Sequence, residues 1–193
     1  MSKEYDQILN FLEEVDALKS VERKGYLKDH SRHDNPAEHT WHMMLTMVLL
    51  KLQGNDGFNL EHALCLALVH DIVEVYAGDV PKYDKDAREA HKKIEEESAD
   101  KIFSLLPDKI GSTLHDWWKE FEENQTPEAN FANHCDYLQG FSQSYFAHGK
   151  SWKELGVTRE KTLEYTVPIK QDNENLGEFI DALYEHIDKK NFL

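Results

Sequence analysis

From one end of this chain to the other, apolar residues return every three or four positions and almost nowhere in strict alternation. That period suits helices and leaves no segment that requires a strand, so the expected fold class is all-α, a bundle of amphipathic helices. "YDQILNFLEEVDALKSV" places Ile8, Leu12, Val15 and Leu18 on one stripe and predicts a first helix. After "RKGYLKDHSRHD", which has loop composition, Asn35, Pro36 and Glu38 supply an N-cap, an N1 proline and the acidic N3 residue of a capping box. A second helix starts there and stops before Gly54, and Asn59 caps a third that carries "LEHALCLALVHDIVEVYA" until Gly78.

Further along, "DKDAREAHKKIEEESADKIFSLLP" has Ala87, Ala90, Ile94, Ile102 and Leu105 among dense charges, which predicts a long amphipathic helix ended by Pro107. "IGSTLHDWWKEFEEN" predicts another, and Thr126 with Pro127 opens "TPEANFANHCDYLQGFSQSYFA". The region "HGKSWKELGVTREKTLEYTVPIKQDN" reads as loop with some helix. A last helix shows the docking stripe Leu176, Phe179, Ile180, Leu183 and Ile187. Without internal repeats or a Ser/Gly linker, 193 residues, 40% of them hydrophobic, are expected to form one domain spanning 1–193.

The third helix raises a physical problem. It begins as an apolar run, "ALCLALV", and then, without leaving the helical pattern, sets His70, Asp71 and Glu74 in what should be core. Residues three and four apart are helix neighbours, so Glu74 is expected beside both His70 and Asp71 on a shared face. Burying unpaired ionisable groups costs several kcal/mol, and a divalent cation accepting a neutral imidazole and a carboxylate offsets it. Further ligands should come from other helices. His39 stands in the first turn of the second helix, and Asp136 lies in "ANHCDYLQG", flanked by Cys135, Leu138 and Phe141. The candidate metal ligands are therefore His39, His70, Asp71 and Asp136, brought from three separate helices.

Charge narrows the partners. The formal net charge of -15 should repel a nucleic-acid backbone or an anionic membrane, which argues against polymeric nucleic acid and membrane partners. It does not exclude a small anionic substrate, because a bound cation reverses the local field. Two cysteines, Cys65 and Cys135, form no CxxC pair and suggest no disulfide framework, so a reducing cytoplasm is expected. The start "MSKEYDQILN" lacks a basic segment followed by an apolar one, and no window approaches a membrane span.

The stretches "ERKGYLKDHSRHDNPAEHTWHM", "LALVHDIVEVYAGDVP" and "TPEANFANHCDYLQG", in that order, resemble the HD-domain metal-dependent phosphohydrolases, and within them the 5'-deoxynucleotidase branch. The likeness covers most of residues 5 to 146. It implies a helical domain of HD type with a metal-site core over about 20–146 and a C-terminal helical extension over 147–193. It implies one divalent ion on His39, His70, Asp71 and Asp136, catalytic or substrate-contacting roles for Glu74 and Asp79, a phosphate-binding role for Arg23, and a homodimer. The activity implied is hydrolysis of (deoxy)nucleoside 5'-monophosphates to nucleoside and phosphate.

That chemistry suits the residue types. A cation held by imidazoles and carboxylates polarises a phosphoryl oxygen and acidifies water. Glu74 is placed to exchange a proton with the attacking water or the leaving oxygen. Asp79, after the helix breaks at Gly78, suits either recognition of a substrate hydroxyl or proton transfer, and Arg23 can hold a phosphate bidentately. Manganese, cobalt, iron, nickel and zinc all accept such ligands.

The chain departs from the family pattern after Asp136, where Tyr137, Leu138 and Gln139 stand in place of the common Lys-Leu-Glu; a basic and an acidic group are thus expected to be absent near the ligand. Tyr26 stands where tryptophan is frequent. His30 and His33 are expected to be solvated loop residues, and Trp117, Trp118, Met43, Met44 and Met47 packing residues. His115 and Asp116 repeat the His-Asp dipeptide in a polar context and are expected to play no part. Two rival functions remain. One is an HD-type phosphodiesterase or nucleoside triphosphate hydrolase, for which His91, His115 or His134 could serve a second metal. The other is a non-catalytic metal- or nucleotide-sensing bundle, whose mark would be loss of the groups at Glu74 or Asp79.

Overall fold

The structure is a computed structural model describing residues 3–193; Met1 and Ser2, the first residues of the expected domain, lie outside the described residues. Among the described residues ten α-helices follow one another: α1 (Lys3–Val15), α2 (Pro36–Leu52), α3 (Leu60–Val69), α4 (Glu74–Ala77), α5 (Lys85–Phe103), α6 (Asp108–Glu123), α7 (Pro127–Phe146), α8 (Lys150–Glu154), α9 (Arg159–Asp172) and α10 (Glu174–Lys190). The expected all-α class is met. Among the described residues the one extended pairing is an isolated bridge between Tyr26 and His33.

The chain's polar punctuation sets most boundaries as its residue types require. Asn35, Asn59, Asp84, Thr126, Thr158 and Asn173 each accept a hydrogen bond from a backbone N–H in the first turn of the helix they precede. Only half of the capping box at α2 forms, however. Asn35 accepts from Glu38 N at 3.0 Å, but the Glu38 carboxylate turns outward to Arg32, 2.8 Å from its Nη1.

Two apolar clusters meet around the site. The larger joins Met43 and Met47 of α2, Leu66 and Ala67 of α3, Phe131, Leu138 and Phe141 of α7, and Leu176, Ile180 and Ile187 of α10. The smaller joins Phe11, Leu18, Val69, Ile72, Val73, Ile102, Phe103 and Trp118. α7 runs against both α2 and α3 and is the most enclosed helix, burying polar residues such as Gln139 and Gln143 as well as apolar ones. Met44 and Trp117 pack half-buried, and both cysteines are unpaired, as expected.

Four expectations need correction. α1 stops at Val15 and continues as a 3₁₀ turn over Asp16–Ser20, and its inward stripe uses Phe11, leaving Leu12 exposed. In α5 the first half turns Ala90 and Ile94 to solvent and half-buries Arg88 and Glu95 toward a cleft. The region 148–173 is mostly helical, as α8 and α9. Its inward stripe is Thr162, Thr166 and Ile169, with both threonine hydroxyls on Tyr184 Oη at 2.8 and 3.0 Å, so a polar stripe and Pro168 hide a helix from hydropathy. Finally, the third helix is not continuous to Gly78: it ends at Val69, and a tight turn separates it from α4.

Candidate metal centre and active-site cleft

The turn between α3 and α4 presents the His-Asp pair. Bonds from Ile72 N to Val69 O (3.2 Å) and from Glu74 N to Asp71 O (3.0 Å) span three residues rather than four, winding the backbone as a 3₁₀ helix does. The pair thereby stands at the junction of the two apolar clusters. His70 Nδ1 donates to Ala67 O at 2.7 Å, which leaves Nε2 as a lone pair. On α2, His39 Nδ1 donates to Gln139 Oε1 of α7 at 2.5 Å and likewise leaves Nε2 bare.

Both bare nitrogens are buried without a hydrogen-bond donor. His39 Nε2 lies 3.1 Å from Asp136 Oδ1 and 3.8 Å from Asp71 Oδ2, and His70 Nε2 lies 3.0 Å from Asp71 Oδ1. Lone pair faces lone pair at these distances, an arrangement that requires a proton or a cation between them. One ligand atom from each of His39, His70 and Asp136 falls within 4.8 Å of the others, and this is the one such cluster among the described residues. The donor set, two imidazoles and a carboxylate, fits a divalent metal. Asp71 flanks that trio, with its Oδ2 also turned to Arg23 Nη1 at 3.2 Å.

Electrostatics divide the carboxylates. Burial alone would push Asp71 up, but His70, His39 and Arg23 bring it down to about 2. Asp136 is likewise held well below the usual range, burial being outweighed by Lys82, His39 and His70. Glu74 goes the other way: burial, then the charges of Asp71 and Asp79, push it well above the ordinary value, and its Oε2 has no partner. Asp79 is raised by burial despite Arg23, whose Nη1 is 3.3 Å from its Oδ1. Divergent proton affinities in neighbouring acids suit acid-base work.

Arg23 reaches the cleft from a hairpin-like loop closed by Arg23 N on Asp34 O (3.1 Å) and Asp34 N on Gly25 O (2.9 Å). A Cβ on Gly25 would meet Asp34 Oδ1 at 2.6 Å, so glycine permits the close approach that stations Asp34 beside Arg23. Across the cleft Gly78, at φ 78° and ψ 165°, adopts a conformation that side chains oppose and turns the chain so that Asp79 faces Arg23.

The other histidines stand apart. His30 contacts Ala147 O at 2.9 Å and His33 packs on Tyr26 with ring centroids 3.9 Å apart, so both are part-buried loop residues rather than solvated ones. His115 stacks on Phe103, 5.6 Å between ring centroids, beside the exposed Asp116. His91 faces Gly78 O at 3.3 Å, and His134 lies 3.6 Å from Asp172.

Sequence reasoning passed over two residues of this site. Gln139, fully buried, orients His39 and also approaches His42 Nδ1 at 3.1 Å through its amide nitrogen. Lys82 donates to Asp136 Oδ2 at 2.8 Å. A basic group is thus present beside Asp136 after all, delivered by the segment after Asp79 rather than by α7. Gln139 had a visible signal, its i+3 spacing from Asp136; Lys82 had none.

A family model described as HD domain matches residues 15–176. The chain belongs to the HD-domain family. Among curated relatives of this HD-domain chain, the human 5'-deoxynucleotidase HDDC2 is 30% identical over 71% of the chain and 66% of its own length. The mouse protein of that name is 31% identical over 71% of the chain and 68% of its own length. The chain therefore spans about two thirds of these relatives. The 5'-deoxynucleotidase YfbR of Salmonella arizonae is 25% identical over 83% of the chain and 89% of its own length. A solved structure of a predicted metal-dependent phosphohydrolase from Magnetospirillum magnetotacticum superposes with a TM-score of 0.89 at 30% identity, covering 100% of this chain and 99% of that one. The expected resemblance to HD-domain phosphohydrolases of the 5'-deoxynucleotidase branch is met.

Proposed function

We propose that the chain is a metal-dependent 5'-deoxynucleotidase, hydrolysing deoxynucleoside 5'-monophosphates to nucleoside and phosphate. The observation that carries this reading is the pair of bare, buried imidazole nitrogens of His39 and His70 aimed at the Asp136 and Asp71 carboxylates. Relatives named 5'-deoxynucleotidase and a phosphohydrolase of the same fold support it.

In this reading His39, His70 and Asp136, with Asp71 beside them, hold one divalent ion: manganese, cobalt, iron, nickel or zinc. Bound there, the ion supplies charge to a phosphoryl oxygen and acidity to water. Glu74, whose proton affinity is raised by burial and by Asp71 and Asp79, takes the proton of the attacking water and returns it to the 5' oxygen as the P–O bond breaks. Arg23 faces the phosphate. Asp79, held by Arg23, meets the sugar hydroxyl or relays a proton.

A second metal has no support, since His91, His115 and His134 each turn to other partners. The sensor reading is disfavoured because Glu74 and Asp79 are both present at the centre. We also propose a homodimer through α2, whose outer face carries Trp41, Leu45, Leu49 and Leu52, all exposed on one helical stripe. No helix among the described residues is long and apolar enough to cross a membrane.

The decisive experiment strips the metal, restores each divalent ion in turn and offers deoxy- and ribonucleoside mono- and triphosphates. Phosphate from monophosphates alone supports the proposal. Release of pyrophosphate or triphosphate favours the other hydrolase, and no release with any ion favours the sensor.

A further inference from the structure

We infer that Lys82 is a substrate-positioning residue that binds the phosphate beside Asp136, while Arg23 stands beside Asp71 and Asp79. The inference rests on the monophosphate reading above and assigns it a second cation.

Around Asp136 of the ligand trio stand Asp34, Asp71, Glu74 and Asp79 as well, and a phosphate entering this cleft adds more negative charge. Two side-chain cations pair directly with these acids. Arg23 is shared among Asp71 at 3.2 Å, Asp79 at 3.3 Å and Asp34 at 3.8 Å. Lys82, by contrast, pairs among the described residues with Asp136 alone, at 2.8 Å. An ammonium has three donors, so Lys82 has two to spare for a substrate oxygen, while the charge of Arg23 is divided among three carboxylates. Its side chain is 32% exposed and lines the same cleft as Asp71, Glu74 and Asp79.

The geometry at Asp136 separates this role from simple metal binding. Oδ1 is the oxygen 3.1 Å from His39 Nε2, while Oδ2 is the oxygen that accepts from Lys82. The ammonium thus sits on the outer edge of the ligand carboxylate and leaves the inner oxygen to the ion.

The backbone of Lys82 is fastened in place. Its carbonyl accepts from Tyr165 Oη of α9 at 2.9 Å, and the next residue, Tyr83, touches Tyr137 Oη at 3.0 Å. A lysine anchored so firmly at its main chain can swing its head between Asp136 and a substrate oxygen without moving the loop.

The test uses the full chain loaded with manganese. Binding of manganese and of inorganic phosphate is measured by calorimetry for wild type, Lys82→Met, Lys82→Gln and Lys82→Arg, and KM and kcat are measured on a deoxynucleoside monophosphate. Loss of a charge-assisted hydrogen bond should weaken phosphate binding and raise KM by about tenfold or more in the Met and Gln variants. Manganese affinity should stay within about threefold and kcat should fall less than KM rises. The Arg variant should recover most of the phosphate affinity. Unchanged phosphate affinity in both neutral variants would overturn the inference, and so would a loss of manganese affinity that matches the loss of phosphate affinity, since Lys82 would then only orient Asp136. Phosphate binding that depends on Lys82, in a protein that releases nothing from any monophosphate, would retain this inference and remove the hydrolytic one.

Discussion

His39 Nδ1 lies 2.5 Å from Gln139 Oε1, and that bond decides which nitrogen of the imidazole faces the ligand cluster. Residues that hold a ligand imidazole in its tautomer typically account for 10–100-fold in metal affinity. Gln139→Leu should therefore weaken manganese or cobalt binding by about that factor, whereas Gln139→Glu, which keeps an acceptor at the same place, should not. Calorimetric titration of both variants is the check, and equal affinities would detach Gln139 from the site.

Glu74 offers a test by pH. Its carboxyl is held well above the ordinary value of 4.5 by burial and by Asp71 and Asp79, so the folded chain resists ionising it more than the unfolded chain does. Below 4.5 both states carry the proton and there is no penalty. As pH climbs from 4.5 through the raised folded value the penalty grows and then levels off. Metal-free Glu74→Gln should melt above wild type at neutral pH, with the gap closing in acid. The same variant, like Glu74→Ala, should bind metal yet lose turnover by at least about a hundredfold. A Glu74 variant with near-native turnover would remove this residue from the chemistry.

Gly78→Ala should cost about 1–3 kcal/mol of stability, because φ 78° with ψ 165° is a conformation nearly reserved for glycine. It should also displace Asp79 from Arg23, so the loss in kcat/KM is expected to exceed that of an alanine placed at the exposed Ala90 neighbour Glu89. Melting curves and steady-state kinetics on the two variants report this directly.

The dimer proposal is tested at α2. Leu45→Glu combined with Leu49→Glu puts charge in the middle of the exposed stripe while leaving Met43 and Met47 in the core. Light scattering should show a dimer for wild type and a monomer for the variant, with the helical spectrum unchanged. A wild-type monomer at micromolar concentration would dismiss that interface.

The helical fold was legible because apolar period and cap residues agreed at the starts of α2, α3 and α7, and His39, His70 and Asp136 stood out as ionisable groups in apolar settings. What escaped notice had physical reasons. α9 turns threonines inward and satisfies them with Tyr184, so its period is invisible on a hydropathy basis. Lys82 acts on Asp136 across a tertiary contact that no local spacing encodes. The break after Val69 depends on the packing of Ile72 and Val73 in one cluster and Leu66 and Ala67 in the other, a competition that a single amphipathic pattern does not display.

The winding at His70 and Asp71 bears on any attempt to transplant this centre. A backbone wound by three-residue bonds spreads successive side chains by roughly 120°, against the 100° of a regular helix. A designer who grafts histidine, aspartate and glutamate at the same intervals onto a straight scaffold would fan them away from their common target. The portable unit is the tightly wound turn together with its two flanking apolar anchors, not the string of letters.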